Sequence, residues 1–171
     1  MDIFFDRRNA PENVVYQGVR VTSSDDTACP TGFLWSTRLY VVYQKATNIH
    51  KRYTENVWVA IPQWTGDTMI ISGASQPFIT FDMASNISHL IYWETDTLKY
   101  VRSHNFLQTF VNGSGTTVTQ GSQGTIIASS IVEQQASIVL HPSSDLYVSY
   151  VDGGNVLIKR SMNLGKTWTS V

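Results

Sequence analysis

Apolar residues along this chain fall into short, nearly continuous runs separated by polar turns, and the runs repeat. Leu39-Tyr40-Val41-Val42-Tyr43 and Leu146-Tyr147-Val148-Ser149-Tyr150 agree at four of five positions, and Leu90-Ile91-Tyr92-Trp93 takes the corresponding place between them. Their β-branched and aromatic content predicts strands. Because the apolar residues are nearly continuous rather than alternating, both faces of each strand are expected to meet protein, as in stacked sheets. An arginine follows each run, with Leu39 to Arg52 spanning thirteen positions, Leu90 to Arg102 twelve and Leu146 to Arg160 fourteen. That gap fits a hairpin and a returning strand. Asp152-Gly153-Gly154-Asn155 supplies residues that tolerate positive φ, and Val156-Leu157-Ile158-Lys159-Arg160 returns from it; Thr95-Asp96-Thr97 makes a tighter turn of the same kind.

Upstream of two of these runs, Gln76-Pro77-Phe78-Ile79-Thr80-Phe81 parallels Gln135-Ala136-Ser137-Ile138-Val139-Leu140 as an entry strand. No segment has a convincing helical period. The pattern predicts an all-β fold of about three four-stranded antiparallel sheets, over 29–75, 76–134 and 135–171. Units of about 50 residues with four short strands are the signature of β-propeller blades. Residues 1–28 fit no unit and are expected to form an N-terminal arm or extra strands, with Phe4 and Phe5 suited to docking on a neighbour. Residues 112–130, rich in Gly, Ser, Thr and Gln, predict a mobile connection with a small hairpin through 116–119 and 125–127.

Composition narrows the partners. The 171 residues are 42% hydrophobic and only 15% charged, which suits a packed core. Twelve Lys and Arg against thirteen Asp and Glu leave no basic surplus for a phosphate backbone, so nucleic acid is not an expected partner. No apolar run approaches the ~20 residues of a membrane-spanning helix. The start, Met1-Asp2-Ile3-Phe4-Phe5-Asp6, carries acid where a secretory signal carries base, and a soluble chain is expected. Cys29 is the only cysteine. It allows no intrachain disulfide and reads as a small buried hydrophobe.

The last residues carry a turn pattern, Ser161-x-Asn163-x-Gly165-x-Thr167-Trp168, with a weaker copy fifty-eight positions earlier in Ser103, Asn105, Thr109 and Phe110. This pattern resembles the Asp-box, or BNR repeat, of sialidase-like β-propellers, in which Ser-x-Asp-x-Gly-x-Thr-Trp joins the third and fourth strands of a blade. The likeness covers roughly residues 30–171. Ser and Asn oxygens accept bonds from nearby backbone N–H groups, Gly takes positive φ, and Trp packs back into the blade. Asn163 keeps the acceptor oxygen of the family's Asp, whereas Leu107 stands where the second copy needs Gly and predicts a turn of another shape. The resemblance assigns the box to fold, away from the catalytic face.

The resemblance further implies three arginines clamping a substrate carboxylate, the first within an Arg-Ile-Pro motif, together with a tyrosine, its activating acid and a separate Asp. Ala60-Ile61-Pro62 lacks that arginine. Arg52, Arg102 and Arg160 recur in step, but at the outer end of each third strand, where exposed charges near Glu94, Asp152 or Glu133 are the simpler reading. Asp25-Asp26, Glu94 with Asp96, and Asp145 with Asp152 are the available carboxylate pairs, and none is singled out for glycoside chemistry. His50, His89, His104 and His141 lack metal-ligand spacing, and Asn112-Gly113-Ser114-Gly115 lacks the Lys of a phosphate loop, so no cofactor or metal is expected. Trp35, Trp64 and Trp93 are candidates for sugar stacking, with Trp64 alone expected to be exposed.

Three blades fall short of the about four to eight of a closed ring. A homo-oligomer or a larger protein assembly is therefore expected, closing the ring or covering the end sheets. The leading functional expectation is a non-enzymatic structural or adhesion module, of the kind found in bacteriophage virions as tail, nozzle or capsid decoration. The alternative is a glycan-binding or sialidase-like glycoside hydrolase module, or a fragment of one.

Overall fold

The structure, a computed structural model, describes residues 27–57 and 63–171 together with two short strands, β1 (Phe4–Phe5) and β2 (Val19–Arg20), which pair antiparallel with each other. Asp25-Asp26, Val14-Val15-Tyr16 and Ala60-Ile61-Pro62 lie outside the described residues. Three open antiparallel sheets follow, and none closes on itself. The first runs in order β3 (Thr27–Trp35), β4 (Arg38–Lys45), β5 (Asn48–Thr54), β6 (Thr68–Ser72). The second contains β7 (Ser75–Asp82), β8 (Ile87–Glu94), β9 (Thr97–Ser103), β10 (Phe110–Val111), β11 (Thr117–Val118) and β12 (Thr125–Ala128). The third is β13 (Ala136–Leu140), β14 (Leu146–Asp152), β15 (Asn155–Ser161), β16 (Thr169–Ser170). No α-helix occurs among the described residues.

Each central pair is a two-residue hairpin, closed by Lys45 with Asn48, Glu94 with Thr97 and Asp152 with Asn155. Gly153 and Gly154 take the positive φ of 55° and 76° that the sequence anticipates there. Ala46 and Thr95 do the same at 52° and 55° without glycine; both are exposed, and their carbonyls accept from the side-chain amides of Gln44 and Gln134.

The second sheet is the middle slice. Leu90, Tyr92 and Val101 meet the first sheet, while Ile91, Trp93, Leu98 and Tyr100 meet the third. Alternate residues of β8 and β9 thus feed two different cores, which is why their sequence is apolar without interruption. Each fully buried side chain of this size contributes about 2 kcal/mol of transfer free energy.

Two expectations are corrected here. β14 is not covered on both faces: Leu146, Val148 and Tyr150 are buried and the residues between them are partly exposed. Residues 112–130 are held rather than loose. Strands 117–118 and 125–128 do not pair with each other; β11 pairs β10, and β12 pairs β9. Side-chain amides take the place of a ladder, with Asn112 Oδ1 accepting from the backbone N–H of Ser114 and Thr116, and Gln123 Oε1 from Thr119 and Gln120.

Candidate functional site

The two serine-led turns are one structure. Ser161 Oγ accepts from the Gly165 N–H at 2.9 Å and Asn163 Oδ1 from the Thr167 N–H at 3.0 Å. Ser103 Oγ accepts from the Leu107 N–H at 3.0 Å and Asn105 Oδ1 from the Thr109 N–H at 2.9 Å. Leu107 therefore does not change the turn's shape, contrary to the expectation from its residue type. It takes φ of 65°, against 78° at Gly165. Left-handed leucine costs about 1 to 2 kcal/mol, and complete burial of its side chain in the core of the first two sheets offsets that cost.

Each turn docks on the sheet before it. Leu164 O accepts from the Tyr100 hydroxyl at 3.2 Å and the Arg102 guanidinium at 2.6 Å, and Trp168 packs edge-on against the Tyr100 ring at 5.4 Å. Leu107 O accepts from the Lys51 ammonium at 2.7 Å, and Phe106 packs on Trp35 at 4.4 Å. Phe110, the counterpart of Trp168, lies in the core of the first two sheets. Burial pulls the Lys51 ammonium below its ordinary pKa.

The arginines do not form a clamp, and their step is broken. Counted from the hairpin, Arg102 and Arg160 stand at equivalent positions one residue before Ser103 and Ser161, whereas Arg52 is two before Thr54 and faces the other side of its sheet. Arg102 is buried rather than an exposed edge charge. Arg160 pairs with Asp145 at 2.5 Å, over the Tyr147 ring.

A cavity of about 370 Å³ opens at the joint of the first and second sheets. Tyr40 and Tyr53, opposed in register on β4 and β5, stack with centroids 5.3 Å apart, and Phe106 lies 6.0 Å from Tyr40. Arg38, Lys51 and Gln108 add polar groups around these rings, and residues 65–68 form a wall. In the second joint the positions of Tyr40 and Tyr53 belong to His89 and Arg102, which are buried. Tyr40 is buried, while Tyr53 and Phe106 are partly exposed, and their ring surface beside a few donors and acceptors suits a ring of mixed polarity, such as a sugar.

Asp67 fixes that wall. Its carboxylate accepts from the Tyr43 hydroxyl at 2.9 Å and the Lys45 ammonium at 2.6 Å, and lies 2.7 Å from His50 Nδ1. Burial pushes the carboxyl up, but the bonds from Lys45, Tyr43 and His50 outweigh it and bring the pKa down to about 2. Burial, and then the neighbouring Asp67, push the Tyr43 hydroxyl up. A carboxylate whose folded pKa is depressed contributes stability above its unfolded pKa of 3.8 and loses it as pH falls toward 2. Asp67→Ala is expected to cost about 2 kcal/mol at neutral pH. The difference from the parent, read from urea unfolding, should shrink below pH 4.

The remaining candidates do not converge. Trp64 is half-buried against Val41 and Tyr43, not exposed, and is not among the cavity-lining residues. Trp93 belongs to the core. Glu94 is paired with Lys99 at 2.5 Å, and Asp96 accepts from Thr97. Asp145 and Asp152 flank the length of β14, roughly 20 Å apart at the usual strand rise. That exceeds the roughly 10 Å upper limit for glycosidase carboxylates. Cys29 is exposed rather than buried. Among the described residues, no three His, Cys, Asp or Glu side chains are arranged to hold a metal. The cavity residues escaped the sequence reading because Tyr40, Tyr53 and Phe106 come from three elements and share no local spacing.

The fold so defined is that of stacked, blade-like antiparallel sheets, and solved structures share it. The chain is similar to an exo-β-1,3-galactanase of Phanerochaete chrysosporium (TM-score 0.55, 9% identity, 82% of this chain and 36% of that one). It is also similar to an ulvan lyase (TM-score 0.59, 9% identity, 82% and 42%) and to a Bifidobacterium bifidum protein assigned as an exo-β-1,3-galactanase (TM-score 0.57, 8% identity, 82% and 50%). The chain spans half or less of the length of these structures. No protein-family model and no curated protein matches the chain. These neighbours overturn the expectation of a non-enzymatic structural or adhesion module of a virion: they are carbohydrate-active enzymes. At such identities the likeness is one of fold.

Proposed function

We propose that this chain is a glycan-recognising segment of a carbohydrate-active β-propeller protein, with the cavity at the first joint as its sugar site. The observation that carries this reading is the pairing of stacked Tyr40 and Tyr53 with Arg38, Gln108 and the Asp67-pinned wall. The neighbours' galactan and ulvan substrates supply the first ligands to try. We also read the two serine-led turns as degenerate Asp-boxes of the sialidase-like kind, a reading supported by their common bonding and by the side-chain oxygens that Asn105 and Asn163 retain.

Tyr53→Ala is expected to weaken binding of β-1,3-galactan or ulvan oligosaccharides about tenfold or more, the loss of one stacking face in a half-buried site. Isothermal titration calorimetry on the whole chain measures it. Parent protein that binds neither oligosaccharide, or a variant that binds as the parent does, sinks the assignment. Release of reducing ends or unsaturated uronate by the parent protein would place a reaction at the site as well.

A further inference from the structure

A second cleft, of about 190 Å³, lies along the joint that holds the cavity of Tyr40 and Tyr53, and the two share Lys51, Thr68 and Gln108 in their walls. The cavity takes one wall from residues 65–68 and the cleft from residues 68–70, so they lie end to end in the direction of β6. Opposite β6, the cleft is bounded by the end of the serine-led turn, residues 108–110, and by residues 117–119. Cavity and cleft thus run between the outer strands of the first and second sheets.

Both banks are tied. The Lys51 ammonium donates to Leu107 O at 2.7 Å where the cavity passes into the cleft, and the Ser72 N–H donates to Thr119 O at 3.0 Å beyond it. Walls held at both ends keep their shape without a ligand, which lowers the ordering cost of binding. The floor of the cleft is apolar, since Phe110 and Val118 are buried in the core and Ile70 packs against it. The rim is polar and open. Gln108, Thr117 and Thr119 are exposed, and the Gln108 amide and the two hydroxyls bond no other described residue. Uncommitted donors and acceptors around an apolar floor match the edge and face of a sugar ring. Among the described residues, Lys51 is the one charged residue lining the cleft, and its ammonium is buried and already bonded. An anionic sugar would lose hydration there without meeting an exposed counter-charge.

We infer that cavity and cleft are two subsites of one groove for a linear glycan, the cleft taking an uncharged sugar residue adjacent to the part of the chain held at Tyr40 and Tyr53, an inference that rests on the reading of the cavity as a sugar site.

Calorimetric titration of the whole chain with the disaccharide and the tetrasaccharide of β-1,3-galactan, an uncharged glycan, reads the second subsite. The tetrasaccharide is expected to bind about tenfold or more tighter than the disaccharide. The double variant Thr117→Ala, Thr119→Ala removes both uncommitted hydroxyls of the cleft and should weaken tetrasaccharide binding by about threefold to tenfold. Its affinity for the disaccharide should match the parent's, whereas Tyr53→Ala should weaken both lengths. Equal affinity of the parent for the two lengths, or a double variant that holds the tetrasaccharide as the parent does, overturns the second subsite and leaves the sugar site standing. So does a parent that binds ulvan oligosaccharides and no galactan, because the groove would then prefer charge. A parent that binds neither glycan at either length sinks the sugar site, and the groove with it.

Discussion

Gly165→Ala is expected to destabilise the protein by about 3 kcal/mol or more, read as a lower urea midpoint with an unchanged slope. Two independent causes combine. Gly165 has φ of 78°, where any Cβ is strained. A Cβ there would also lie 1.9 Å from Cε1 of the Tyr100 ring, so the turn would have to lift away from the second sheet. Lifting it breaks the bonds of Tyr100 and Arg102 to Leu164 O and the contact of Trp168 with Tyr100. Loss of less than about 1 kcal/mol, the usual price of alanine for glycine at positive φ alone, would mean that the joint does not depend on this close approach. Leu107 makes the comparison informative. The first joint accepts a side chain at the equivalent position, and there the side chain is core rather than clash.

Stability should fall as pH drops from about 6.5 to about 4, and His89 is the cause. Burial, with Arg102 and His104 nearby, lowers its pKa to about 4 against the opposing pull of Asp82. His89 is fully buried, and its Nδ1 lies 2.7 Å from the Tyr100 hydroxyl, within the same joint. The folded state keeps the imidazole neutral while the unfolded chain binds a proton below pH 6.5, so the unfolded state holds more protons across this window. The contribution is complete above the unfolded pKa and gone below the folded one. A shift from 6.5 to about 4 corresponds to about 3 kcal/mol. His89→Asn, which retains a polar atom near Nδ1 and cannot titrate there, should flatten the stability profile between pH 6.5 and 4. Below that range the depressed carboxyls Asp67, Asp82 and Asp145 set the remaining slope. A profile as steep in the variant as in the parent would assign the acid sensitivity elsewhere.

The strands were readable wherever local chemistry and burial agree. The runs at 39–43, 90–93 and 146–150 all lie in the second strand of their sheets, and the Gly153-Gly154 turn sits at its expected place. Leu107 shows where such reading stops. A leucine at positive φ is disfavoured locally, and only the core waiting for its side chain makes the turn close as its glycine counterpart does. The arginines mislead for a different reason. Spacings of thirteen, twelve and fourteen look alike along the chain, but in a pleated sheet a shift of one residue moves a side chain to the opposite face.

The amino-acid order alone determined that this chain makes repeated antiparallel hairpins with apolar flanks, because alternation, turn residues and β-branched runs act over neighbours a few positions apart. Tertiary structure decided the rest: which flank is covered and which is bare, that Tyr40, Tyr53 and Phe106 surround one cavity, and that His89 is sealed inside a joint. Those outcomes depend on contacts between sheets, where residues tens of positions apart share one packing problem and no local preference records the answer.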